Sequence, residues 1–129
     1  SEIPSMDKKF ISSLHKLSLQ EISGELSKKL FGDDIPAQKL HEIANEALNF
    51  EIPLVNISDK IHSLELFHGP TLAFKDVALQ FLGNLFEWIL SQQNKQLNIL
   101  GATSGDTGSA AIMGVRGKKN INIFIELYQ

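Results

Sequence analysis

The chain has 129 residues, 43% of them hydrophobic and 21% charged, which is enough apolar material for one domain with an ordinary core. A net charge of -3 and a single arginine, Arg116, exclude the basic field with which proteins track nucleic-acid backbones. There is no cysteine, which excludes disulfides and thiolate metal sites, and no apolar run reaches the roughly 18 residues that a membrane-spanning helix needs.

Residues 1–55 read as a helical region. Phe10, Ile11, Leu14 and Leu17, then Leu19, Ile22, Leu26, Leu30 and Phe31, recur every three or four positions, the period of a helix face. Ser18-Leu19-Gln20-Glu21 predicts a capping box opening the second helix, and Gly32 predicts its stop. Asp33-Asp34-Ile35-Pro36 predicts a third helix with Pro36 in its first turn and Leu40, Ile43, Ala44, Ala47 and Leu48 on one face. Pro53 closes this section, and residues 54–57 and 63–67 read as short strands around a polar turn. Over residues 56–129 helix and strand then alternate: an apolar helix to about Ser91, a strand over 97–102, a helix over 107–115 and a strand over 121–127. Such alternation predicts an α/β region, part of a mainly parallel sheet with flanking helices.

One lysine stands out. Gly69-Pro70 ends the strand-like run before it, and Phe74, Val77, Ala78, Phe81, Leu82, Leu85, Phe86, Ile89 and Leu90 follow at helical spacing, which puts Lys75 in the first turn. The positive end of the helix dipole disfavours an ammonium there, and Leu72 and Phe74 are expected to add desolvation. A neutral lysine amine is a nucleophile toward aldehydes. Taken alone, a lysine at a helix start is ordinarily a solvated surface residue.

The wording around it alters that balance. Leu64-Glu65-Leu66-Phe67-His68-Gly69-Pro70-Thr71-Leu72-Ala73-Phe74-Lys75-Asp76, followed by Gly101-Ala102-Thr103-Ser104-Gly105-Asp106-Thr107-Gly108-Ser109-Ala110-Ala111, resembles the threonine synthase family in order and spacing. Residues 35–55 are similar more loosely. The resemblance implies an incomplete fold type II enzyme fold, of the tryptophan-synthase-β-like class, in which Lys75 holds pyridoxal 5′-phosphate (PLP) as a Schiff base and then shuttles protons at the substrate. The activity implied is a carbon–oxygen lyase reaction, O-phospho-L-homoserine and water giving L-threonine and phosphate. Members of the family are much longer, so the chain is expected to be a fragment. The loop for the cofactor phosphate and the group facing its pyridine nitrogen then lie outside these residues, and the fragment alone is expected to be inactive.

Thr103-Ser104-Gly105-Asp106-Thr107-Gly108 follows a strand and opens a helix, so it lies at the carboxyl end of the sheet, where ligands bind. Its glycines permit close backbone approach, and a helix N-terminus offers unpaired N–H groups to an anion. As a pattern it is equally a plain strand-to-helix turn capped by Asp106 or Thr107. The resemblance implies that Thr103, Ser104 and Thr107 bind the substrate carboxylate and that Asp106 contacts the cofactor's 3′-oxygen. His68 and Asp76 flank the lysine, but His68 reads as a turn residue and Asp76 as a dipole-compensating one. Thr71 reads as a cap for the lysine helix ahead of the other reading, a ligand contact, and Trp88 with the helically spaced phenylalanines reads as core. His15, His41, His62 and His68 lack the close pairing of a zinc site, and a cytosolic setting is compatible with the absence of cysteine. Two other readings stay open: a non-catalytic chain that keeps this region as a binding module, and another PLP-dependent lyase such as a serine or threonine dehydratase.

Overall fold

A computed structural model describes residues 3–103 and 105–126. It divides into two compact units, Ser1–Leu48 and Asn49–Gln129.

In the first unit, helix α1 (Lys8–Ser13) starts where the Asp7 carboxylate accepts the Phe10 N–H at 2.7 Å, and a single 3-10 turn, Leu14–Lys16, follows it. Helix α2 (Leu19–Phe31) opens with the expected capping box. The Ser18 hydroxyl accepts from the Glu21 N–H, and the Glu21 carboxylate accepts from the Ser18 N–H at 2.7 Å. Gly32 ends the helix at φ 58°, a left-handed value that a residue with a Cβ adopts only at a cost. Helix α3 (Ala37–Ala47) begins one residue later than its sequence suggested, with Pro36 as N-cap at ψ 133° and not in the first turn. It buries Leu40, Ile43, Ala44 and Ala47. Gly24 lets α2 approach α3 closely, since a Cβ there would lie 2.1 Å from the His41 ring.

In the second unit, strands β1 (Leu54–Ser58) and β2 (Ile61–Leu64) form an antiparallel hairpin with Leu54 opposite Leu64. The second strand starts and ends earlier than the expected 63–67. Its last bond runs from the Glu65 N–H to the Pro53 carbonyl at 3.0 Å, and Pro53 has no N–H with which to continue the ladder. Helix α4 (Asp76–Gln93) leads to strand β3 (Leu97–Ala102), helix α5 (Asp106–Val115) and strand β4 (Ile121–Glu126). β3 and β4 pair in parallel, Leu97 with Ile121 through Ala102 with Glu126, so α5 is the crossover of a βαβ unit. Alternate residues of β3 and β4 are half-buried, and Ile125 faces Gly108 of α5. Leu100 and Phe124, at the outward positions, stay 83% and 60% exposed.

Helices α4 and α5 touch backbone to backbone. A Cβ on Gly83 would lie 1.9 Å from the Gly114 carbonyl oxygen, and one on Gly114 would lie 2.4 Å from that of Leu79. Lys75, just before α4, also meets Thr107 in the first turn of α5. Two contacts in the same order along both helices mean that they run side by side in the same direction. Leu85, Leu90, Ala110 and Val115 of these helices are buried, whereas Trp88, Phe81 and Phe86, expected in the core, are only half-buried. The turn before β4 is tied to α4 by Lys118, which bonds Asn84 and pairs with Glu87 at 3.3 Å, and by the Lys119 N–H, which donates to Glu87 at 2.8 Å.

Among the described residues no helix is long and apolar enough to cross a membrane, and no group of three or more His, Asp or Glu could hold a metal ion.

Candidate active site

The site begins at the turn before α4. The Leu72 N–H donates to the Gly69 carbonyl at 3.0 Å and Leu72 takes φ 61°, so the chain reverses within four residues of the Phe67-His68 run. The backbone then winds into α4 through the bond from the Asp76 N–H to the Ala73 carbonyl at 3.0 Å. Lys75 is the N-cap of α4, with φ −67° and ψ −18°, one position before the first turn in which its sequence placed it.

The Lys75 amine donates to the Thr107 hydroxyl, a partner 32 residues away, and lies 5.7 Å from the centre of the Phe74 ring. Around it is an apolar cleft of about 420 Å³ lined by Leu66, Phe74, Val77, Ala78, Leu79 and Thr107. Of the two side chains expected to shield the amine, Leu72 is 74% exposed and does not line the cleft, whereas Phe74 lines it although 60% exposed. Phe74 still borders the amine with one side of its ring, together with Leu66, the first turn of α4 and Thr107.

On the α5 side, the Thr103 N–H donates to the Glu126 carbonyl at 3.1 Å, extending the β3–β4 ladder by one residue. Its hydroxyl accepts from the Gly105 N–H, and its methyl group packs where Gly108 has no Cβ. Thr103 therefore shapes the loop. Ser104 lies outside the described residues. Asp106 is the first residue of α5 and is exposed, and Thr107 beside it is the residue that meets Lys75. The Gly108 N–H already bonds the Gly105 carbonyl at 3.1 Å, and the Asp106 and Thr107 N–H groups before it are the ones that helix geometry leaves for an anion at this end.

His68 is engaged elsewhere, its Nε2 2.8 Å from the Glu65 carboxylate and its ring 4.7 Å from that of Phe67. Thr71 does not cap α4. Its N–H and hydroxyl both donate, at 2.8 Å, to the carboxylate of Asp76, which is completely buried. Sequence reasoning put Thr107 with the substrate and missed it as the lysine's partner, because no local pattern links positions 32 residues apart. The Gly83–Gly114 contact was equally silent: glycine inside a helix signals close approach but does not name what approaches.

A βαβ unit with a lysine-bearing helix running parallel to its crossover helix is part of a mixed α/β fold of type II, and solved structures of that class superpose on the chain. They are threonine synthases. The chain is 40% identical, with a TM-score of 0.90, to a structure described as PLP-bound threonine synthase from Brucella melitensis, covering 96% of this chain and 28% of that one. The threonine synthase of yeast matches with a TM-score of 0.88 and 43% identity, again over 96% of this chain and 28% of that one. Among curated proteins, the threonine synthase of Schizosaccharomyces pombe is 43% identical over 97% of this chain and 27% of its own length. No protein-family model matches. The chain is thus related to threonine synthases in sequence and in fold, as the lysine and loop blocks implied, and it spans about a quarter of the length of these relatives.

Proposed function

We propose that the chain is the lysine-bearing part of a PLP-dependent threonine synthase, which converts O-phospho-L-homoserine and water to L-threonine and phosphate. The observation that carries this reading is the meeting of Lys75 with Thr107 beside an apolar cleft at the carboxyl end of β3, within a chain similar over 97% of its length to such an enzyme. The residues present fit the cofactor: a primary amine suits its aldehyde, and the cleft of about 420 Å³ suits a flat aromatic ring. PLP, when bound, supplies an electron sink for the charge that develops at the substrate's carbons. Lys75 would anchor it, and its amine would carry protons at the substrate's Cα and Cβ. The Thr107 hydroxyl, which accepts from the Lys75 amine, would keep that amine at the loop. Asp106 would contact the cofactor's 3′-oxygen, and the loop from Thr103 to Thr107, including Ser104, would receive the α-carboxylate with the help of the α5 N-terminus.

The test is borohydride reduction of the full-length gene product after incubation with PLP, followed by peptide mapping. Label on Lys75 is expected, and label on Lys60 or Lys95 instead would overturn the assignment. Lys75→Ala is expected to abolish phosphate release from O-phospho-L-homoserine. Thr107→Val, which removes one hydrogen bond, is expected to lower kcat roughly tenfold.

A further inference from the structure

Asp76 is the first residue of α4, where an exposed carboxylate would already complement the helix dipole. Yet it is completely buried, and a carboxylate is costly to bury unless its oxygens are hydrogen-bonded. Both are: Oδ2 accepts the Thr71 N–H and Oδ1 the Thr71 hydroxyl, each at 2.8 Å. The backbone at Gly69 presses against the same group, since a Cβ there would stand 2.6 Å from Oδ2 and 2.7 Å from the Asp76 Cβ. Between these partners lies Leu72 at φ 61°, a left-handed conformation that costs a residue with a Cβ free energy. Leu72 is 74% exposed, so its own burial does not offset that cost. Strained backbone of this kind persists where the surroundings over-determine it. The surroundings here are Asp76 and Thr71, and the residue delivered by the turn they hold is Lys75.

We propose that Asp76 is a positioning residue: by clasping Thr71 it holds the strained turn at Leu72 and so aims the Lys75 amine at Thr107. The proposal rests on Lys75 being the cofactor lysine. Asp76 then acts through the backbone. Its oxygens are spent on Thr71, so it is not an acid or base toward the substrate, and Thr71 is not a ligand contact.

The experiment uses the full-length gene product with Thr71→Val, Thr71→Ser and Asp76→Ala. Thr71→Val removes one bond to a charged acceptor and is expected to lower kcat by about tenfold to a hundredfold. The KM for O-phospho-L-homoserine should stay within about twofold, because no substrate contact is lost. Attachment of PLP to Lys75, followed by absorbance on mixing with the cofactor-free protein, should slow by a similar factor. Thr71→Ser keeps both donors and is expected to behave as the parent. Hydrogen exchange gives an independent reading: the Thr71 amide is expected to be protected in the parent and fast in Asp76→Ala, which leaves no side-chain acceptor. The proposal is overturned if Thr71→Val folds and attaches PLP at the parental rate, if Thr71→Ser is impaired as much as Thr71→Val, or if the Thr71 amide exchanges freely in the parent. Cofactor on a lysine other than Lys75 in the parent would instead overturn the proposed function, and Thr71 exchange would still decide whether the clasp exists.

Discussion

Gly83→Ala is the substitution that best tests the packing on which the site depends. The new Cβ would lie 1.9 Å from the Gly114 carbonyl oxygen and 2.7 Å from its carbon, whereas ordinary contact begins at 3.4 Å. Both atoms are backbone, so no side chain can swing aside, and α4 and α5 must separate by about 1.5 Å at this point. Overpacking of this kind costs about 1–3 kcal/mol, and the rigid neighbour argues for the upper end. Alanine returns about 1 kcal/mol of helix propensity, so a net loss of about 2 kcal/mol is expected. The damage should also reach the site. Gly83 lies eight residues beyond Lys75, about 12 Å along α4, and an opening there shifts the Lys75 amine from Thr107. A misplacement near 1 Å can cost about a hundredfold, so kcat is expected to fall by roughly tenfold to a hundredfold. Thermal unfolding of the full-length gene product, hydrogen exchange in α4 and α5, and phosphate release measure the three effects. Ser91→Ala, an exposed change on the same helix, serves as control and is expected to stay within about 0.5 kcal/mol. A Gly83→Ala protein with parental unfolding and parental kcat would show that the two helices do not meet at their backbones.

Two further outcomes concern stability. Ser18→Ala removes the hydroxyl half of the capping box and should cost about 1 kcal/mol, read as faster hydrogen exchange in the first turn of α2; unchanged exchange there would deny the cap a role. Glu87 should make the second unit acid-sensitive: burial raises its carboxyl, but the hydrogen bonds from the Lys119 N–H and the Lys118 ammonium outweigh this and hold it below its ordinary 4.5. A carboxyl depressed on folding contributes stability that is complete above its unfolded value and is lost as pH falls through the folded one, so Glu87→Gln should flatten the loss of stability below about pH 5 in acid titration, and identical profiles would refute the coupling.

Elements that depend on near neighbours along the chain are legible in the residues themselves. The capping box at Ser18 and Glu21, the stop at Gly32, the faces of α2 and α3 and the alternation that makes β3 and β4 parallel all follow from local periodicity and end chemistry, which a string of residues carries in full. Lys75 is also legible as the lysine to watch, through the motif around it. Its placement is not. Helical spacing counts Phe74 into the buried face and Lys75 into the first turn, whereas the reversal at Leu72, held by a carboxylate five residues from its threonine partner, starts the helix later and leaves Phe74 exposed. The second strand stops at Leu64 because of Pro53, a residue on the other side of its hairpin. Thr107 becomes the lysine's partner, and Gly83 the neighbour of Gly114, only when α4 comes to lie along α5. Contacts across such distances depend on how helices pack over a shared sheet. The sequence by itself therefore determined which elements form and singled out Lys75, and the tertiary structure alone decided that its amine meets Thr107, because that contact spans 32 residues of chain.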